Sequence, residues 1–214
     1  MSLVNIEDLN KAYKQRRILN NFNLQVNTWE LVAIMGASGS GKSTLLNIIG
    51  LLEEVDSGRI YFKGKEAPSI HGQEAVKLRR EFINYIFQTH ALVSHLSVID
   101  NLILAMRFVN GSNQEKRRRA SQLLKHFNLD QVEEAKVASL SSGEAQRVSI
   151  IRAILKPGEL ILADEPTGSL DEAMAMTTFQ MIQSLRDRYG KTILLVTHDS
   201  QLARKCDRVV RLAP

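Results

Sequence analysis

Phe22, Leu24 and Val26 alternate with Asn21, Asn23, Gln25 and Asn27. That period of two belongs to a half-buried strand and predicts an antiparallel edge sheet at the start of the chain. Leu31–Met35 is continuously apolar and runs into a glycine-rich turn, as a strand buried on both faces of a parallel sheet does. A helix is predicted over about 42–52, further strands over 59–62 and 83–87, and a polar helix over 73–82 between them.

Between Ser97 and Lys156 the period changes. Val98, Leu102, Ala105 and Met106 recur at helical spacing, as do Leu123, Leu124 and Phe127, so the middle third reads as wholly helical. Pro157-Gly158 punctuates a return to short apolar runs at 160–163 and 192–196. A helix over about 172–189, ended by Gly190, separates the two runs. Strands alternating with helices predict an α/β fold, a mixed and mainly parallel sheet with helices on its faces. An antiparallel β subdomain precedes it. The expected organisation is one domain over 1–214, with 1–88 and 158–214 forming the core and 89–157 an inserted helical subdomain.

Composition narrows this further. With 214 residues, 44% hydrophobic and 24% charged, the chain has room for one well-buried core and an average globular balance. The longest apolar stretch, around Leu45 to Leu52, is interrupted by Asn47 and Gly50 and falls short of the roughly 18 to 20 residues a membrane span needs. Met1 to Asn10 carries no basic-then-apolar leader pattern. Cys206 is the only cysteine, which excludes an internal disulfide and suits a reducing compartment, so a cytoplasmic location is expected. The net charge of +5 would suit a polyanion or an anionic membrane surface. Its densest run, Lys116 to Arg119, sits beside an apolar helical face and reads as a solvated helix surface, so no nucleic-acid partner is expected.

Two clusters carry chemistry. Gly36-Ala37-Ser38-Gly39-Ser40-Gly41-Lys42-Ser43 fits G-x-x-x-x-G-K-[ST] between a predicted strand and a predicted helix, with Thr44 following. Such a loop aims backbone N–H groups and the positive end of a helix at phosphates; Lys42 reaches the β- and γ-phosphates and Ser43 ligates Mg²⁺. Asp164 and Glu165 follow the apolar run at 160–163, where a parallel sheet opens its ligand crevice. Asp164 would hold the metal shell. Glu165 would orient or deprotonate the attacking water, a role worth roughly 10²- to 10⁴-fold in rate.

With Leu140-Ser141-Ser142-Gly143-Glu144 in place of that family's signature, the chain resembles an ABC-type nucleotide-binding domain over essentially its whole length. The elements stand in the family's order: Tyr13, the phosphate loop, Gln88, the signature, Asp164-Glu165, Ser169-Leu170-Asp171 and His198. The resemblance implies a P-loop NTPase core, ATP and Mg²⁺ as ligands, and Tyr13 stacked on adenine. It implies Gln88 near metal and water, His198 sensing the γ-phosphate, and Asp171 at a dimer interface, where it also caps a helix. In the family the signature of one copy closes over ATP held by the other, so Ser141, Ser142, Gly143 and Glu144 are expected to touch nucleotide in a head-to-tail homodimer. Two positions depart from the pattern: Ser142 replaces the signature's usual first glycine, and Trp29 fills a turn where glycine is usual.

Glu144 and Ala163-Asp164-Glu165-Pro166-Thr167-Gly168 look like the lipoprotein-releasing and macrolide-exporter branch. The function this implies is an ATPase subunit that drives a separate permease, docked in a groove beside Gln88 to Asp100, for peptide, lipoprotein or drug export. It would lie peripherally on the inner face of the membrane. The alternative is a regulatory ATPase resembling the cell-division member, which signals through a membrane protein without moving cargo. A chromosome-organising head would be split by a coiled coil, which 87–140 lacks, and a nucleotide kinase would have no use for the signature, Asp171 and His198.

Overall fold

The computed structural model describes residues 1–212. Two long strands, β1 (Ser2–Tyr13) and β2 (Arg16–Asn27), open the chain, followed by β3 (Leu31–Met35), α1 (Lys42–Ile49), β4 (Ser57–Phe62) and β5 (Lys65–Glu66). After α2 (Gln73–Glu81) and β6 (Ile83–Ile86) come α3 (Val98–Ala105), α4 (Asn113–His126) and α5 (Ser142–Leu155), with two short 3₁₀ turns before α5. The chain then returns through β7 (Leu160–Asp164), α6 (Glu172–Asp187), β8 (Thr192–Val196), α7 (Ser200–Ala203) and β9 (Arg208–Arg211).

The predicted mixture of strand directions is divided between two sheets. Strands β2, β1, β4 and β5 form an antiparallel sheet in that order, while β6, β7, β8, β3 and β9 form a wholly parallel one. Alternate residues of the parallel strands face opposite layers. Val32, Ile34, Leu160, Leu162, Leu194 and Val196 pack with α1 and the antiparallel sheet, where Val4, Ile6 and Leu9 meet Leu45, Leu46 and Ile49. Leu31, Ile161, Ala163, Ile193 and Leu195 face the other way, onto Val98, Leu102, Val148, Ile151, Phe179 and Ile182. Burial on both faces is why these strands read as unbroken apolar runs.

Several boundaries differ from the sequence-based expectation. Helix α1 stops at Ile49 rather than Leu52 because Leu51 takes φ 57°, and the Tyr85 hydroxyl, donating to Leu46 O at 2.6 Å, packs against Gly50. Helix α6 stops at Asp187, and Gly190 (φ 61°) turns the chain into β8. The middle third is helical as expected. Ser112 with Glu115 and Ser141 with Glu144 each form a capping box that starts a helix there. In the basic run Arg117, Arg118 and Arg119 are exposed, and Arg117 pairs with Glu134. No described helix is long and apolar enough to cross a membrane.

Trp29 stands at φ 62° with 70% of its surface exposed. A left-handed backbone costs a non-glycine residue roughly 1 kcal/mol or more. The turn is held by Trp29 N–H donating to Thr192 Oγ1 at 2.8 Å, and the indole lies against Gly190.

Candidate functional site

Four strands of the parallel sheet end side by side, and each leads to candidate residues: β3 to Gly36, β6 to Gln88, β7 to Asp164 and Glu165, and β8 to His198. Tyr13 comes from the antiparallel sheet, at the end of β1. Together Tyr13, Gly36, Ser38, Gly39, Gly41, Lys42, Ser43, Thr44, Glu165 and His198 line one cavity of about 560 Å³, which Ile18 completes.

The loop is shaped by close approach. Gly41 has φ 93°, and a Cβ there would stand 2.3 Å from Ile18 Cγ2, so only glycine fits between the loop and β2. Ser40 N–H donates to Ala37 O at 3.1 Å, and Arg16 Nη2 donates to Gly39 O at 3.0 Å. Lys42 is buried, and its ammonium donates to the carbonyls of Gly36 and Ala37, both at 2.9 Å. A cation held only by carbonyls at the start of a helix is arranged to receive an anion.

Asp164 stands at the end of β7. Burial pushes its carboxyl above the usual carboxylate range; a hydrogen bond with Ser43 opposes this, Glu165 adds to it, and Lys42 opposes it. Its Oδ1 is buried with no hydrogen-bond partner. Among the described residues no cluster of three or more His, Cys, Asp or Glu forms an all-protein metal cage. The oxygen donors brought together here are the Ser43 hydroxyl and the Asp164 carboxylate, which hydrogen-bond to each other. Such a sparse oxygen set fits Mg²⁺, which keeps waters and takes phosphate oxygens as its remaining ligands.

Glu165 occupies a left-handed backbone position, φ 43°, held by its N–H donating to Val196 O at 3.1 Å. Strain of this kind persists where the surroundings over-determine it. Glu165 Oε2 lies 3.1 Å from His198 Nδ1. Gln88 is exposed nearby: a Cβ on Gly168 would stand 3.2 Å from Glu165 Oε2 and 3.5 Å from Gln88 Nε2.

Tyr13 is 46% exposed and held from behind. Its hydroxyl hydrogen-bonds to Glu53, which raises its pKa, and lies 3.5 Å from Thr44 Oγ1. Arg16, Ile18 and Glu53 were not singled out in the sequence. Only the hairpin pairing of Tyr13 with Arg16 brings β2 alongside the loop.

The signature residues do not line this cavity. Ser141 caps α5: its hydroxyl donates to Glu144 Oε2 at 2.6 Å and accepts from Glu144 N–H at 3.3 Å. These contacts hold the Glu144 carboxyl below its ordinary range. Ser142 Oγ lies 3.4 Å from Ser169 Oγ, Gly143 is buried against Met174, and Asp171 accepts from Met174 N–H at 2.9 Å. The sequence's two half-sites therefore stand apart within one copy.

The family model for ABC transporters matches residues 19–168. The chain belongs to the ABC transporter family. Its ATP-binding cassette fold, ATPase chemistry and ATP and Mg²⁺ ligands are those of that family. Among curated relatives, the macrolide export ATP-binding/permease protein MacB of Vibrio parahaemolyticus is 36% identical, and that of Hahella chejuensis 39%, each over 98% of this chain. The chain spans about a third (33%) of the length of each. Among solved structures, the dimeric bacterial ABC transporter cassette MJ0796 superposes with a TM-score of 0.88 at 36% identity, covering 98% of this chain and 94% of that one. The same cassette is known as a dimer in a post-hydrolysis state bound to ADP and Pi. Also similar is cbiO1 from Clostridium perfringens, part of the ABC transporter complex cbiONQ, with a TM-score of 0.88 at 26% identity over 99% and 84% of the two chains.

Proposed function

We propose that this cassette binds and hydrolyses ATP as a head-to-tail homodimer and drives a permease, lying against the inner face of the membrane. The carrying observation is the cavity that joins Lys42 and its loop to Glu165 and His198 on one side and Tyr13 on the other. One polypeptide thus holds a base-stacking ring, a phosphate cradle and a carboxylate.

In this reading Tyr13 stacks on adenine, and the N–H groups of Gly36 to Thr44 surround the phosphates. Lys42 exchanges its two carbonyl acceptors for β- and γ-phosphate oxygens. Ser43, Asp164 and Gln88 would hold Mg²⁺, which when bound neutralises phosphate charge. Glu165 accepts a proton from the attacking water as the new P–O bond forms and the bond to the β-phosphate oxygen breaks. His198 orients that carboxylate and approaches the γ-phosphate. Ser141, Ser142, Gly143 and Glu144 of a second copy complete the site, with Asp171 at the contact between copies. Residues 89–157 act as the helical subdomain that carries the signature.

Export of a drug, peptide or lipoprotein is supported over cargo-free signalling by the macrolide-export relatives. Glu165→Gln tests the shared site, since it retains shape but cannot accept the proton. With Mg-ATP this variant should elute as a dimer holding two unhydrolysed nucleotides, and Lys42→Ala should remain monomeric. A monomer that binds ATP stoichiometrically at high protein concentration would contradict the proposal.

A further inference from the structure

Glu53, Lys11 and Asp56 do not line the nucleotide cavity, yet all three converge on the end of β1 that carries Tyr13. Helix α1 ends at Ile49, and Leu51, at φ 57°, turns the chain so that 53–56 runs back along β1, where Asp56 N–H donates to Asn10 O at 3.1 Å. From that segment the Glu53 carboxylate accepts from the Tyr13 hydroxyl, and Asp56 Oδ2 accepts from the N–H of Ala12, the residue before the ring, at 2.7 Å. Glu53 is itself fixed. The Lys11 ammonium stands 3.4 Å from its Oε1, donates to Glu54 O at 2.8 Å and lies over the Tyr13 ring, 5.4 Å from its centre. The side chains of Lys11 and Glu53 are only 12% and 21% exposed, so the pair is more than a solvated surface contact. At the start of α1, Thr44 Oγ1 lies 3.5 Å from the same hydroxyl.

An aromatic side chain that is 46% exposed would otherwise swing between rotamers, and a ligand needing one orientation would have to immobilise it on binding. A carboxylate accepts from a hydroxyl more strongly than a neutral group does, and here both partners belong to the chain itself, so the ring is ordered ahead of the ligand. We propose that Glu53 is a positioning residue for the nucleotide base: its carboxylate, held by Lys11, locks the Tyr13 ring in the orientation that stacks on adenine. Because the hydroxyl is reached both from the first turn of α1 and from the segment after its end, the lock also sets the spacing between the ring and the phosphate loop. This rests on the stacking reading above and adds what holds the ring ready.

Calorimetric titration of the whole chain with a non-hydrolysable ATP analogue and with inorganic tripolyphosphate separates base binding from phosphate binding. Glu53→Ala should weaken the analogue about 3- to 10-fold, the effect of having to order a freed side chain, and leave tripolyphosphate binding at parent strength. Tyr13→Phe, which keeps the ring and drops the hydroxyl, should show the same split. Glu53→Ala made in the Tyr13→Phe chain should then cost little more, because both changes break one contact. Glu53→Gln, whose amide oxygen can still accept from the hydroxyl, should recover most of the loss. Unchanged analogue affinity in Glu53→Ala, equal losses for both ligands, additive losses in the double variant, or a glutamine variant as weak as the alanine one would each overturn the proposal. Tyr13→Ala measured alongside keeps the two readings apart. If it weakens the analogue and Glu53→Ala does not, stacking stands and the lock falls; unchanged affinity in Tyr13→Ala removes the stacking itself and the lock with it.

Discussion

Glu165 Oε2 and His198 Nδ1 stand 3.1 Å apart, joining the ends of two neighbouring parallel strands through their side chains. The carboxylate proposed to accept the proton is thereby oriented by a residue two positions beyond the end of β8. His198→Ala should lower kcat by about 10²-fold or more and change ATP affinity little, because the loss falls on a group acting in the chemical step. Added to Glu165→Gln, the same change should cost almost nothing further. Steady-state kinetics of the two single variants and the double variant check this, and additive losses would show that the pair does not act as a unit.

In the proposed reading Tyr13 meets ATP through its ring, and Glu165 lines the same cavity from a different sheet. Its replacement by alanine should raise the ATP concentration for half-saturation about 5- to 150-fold, the equivalent of a stacking contact of ~1 to 3 kcal/mol. Turnover at saturation should change little. Collapsed turnover at unchanged affinity would contradict the stacking role.

Asp164 is held above the usual carboxylate range by burial, so the folded chain binds its proton more readily than the unfolded chain. Stability from this group is fully present below the unfolded value and is lost as pH rises through the folded one. In the nucleotide-free protein the ionised carboxylate is therefore the form that burial disfavours. Asp164→Asn should raise the melting temperature of the nucleotide-free chain, by about 2 to 4 °C per kcal/mol relieved, and abolish Mg²⁺-dependent hydrolysis. Thermal unfolding at pH 7 without metal reads the first effect. A lower melting temperature would show that the asparagine amide finds no acceptor in the site.

Ser142 adds a side chain at the first turn of the signature helix, and its hydroxyl is turned toward Ser169 of the same copy. Ser142→Gly should give a modestly tighter ATP-dependent dimer by removing a Cβ where a phosphate must approach. Sedimentation of both proteins in Mg-ATP decides the sign. A weaker dimer would mean that the serine itself contributes a contact to the nucleotide.

Much of this arrangement was legible in the residues. Leu31–Met35 and Thr192–Val196 are strands over the residues the pattern marked, because burial on both faces leaves no polar position to blur the ends. The phosphate loop, Asp164 and Glu165 were found through fixed spacing beside such strands. Strand β9 was missed because Arg208 and Arg211 flank only two apolar residues at the sheet edge, where one side needs no burial. Ile18 was missed for a different reason. Its importance comes from standing against Gly41, a contact made by hairpin register and strand pairing across different elements.

Helix α5 begins at the Ser141 cap and leads at its other end into Lys156, whose ammonium donates to the carbonyls of Arg79 in α2 and of Ile83 at the start of β6. Its fourteen residues make a rod about 21 Å long. Ser149, Ile150 and Ile151 lie fully buried at its middle. A tilt of about 10° about that buried middle would displace each end by about 2 Å. A shift at Lys156 would thus be a change of aim at Ser141, and the geometry runs equally well in reverse.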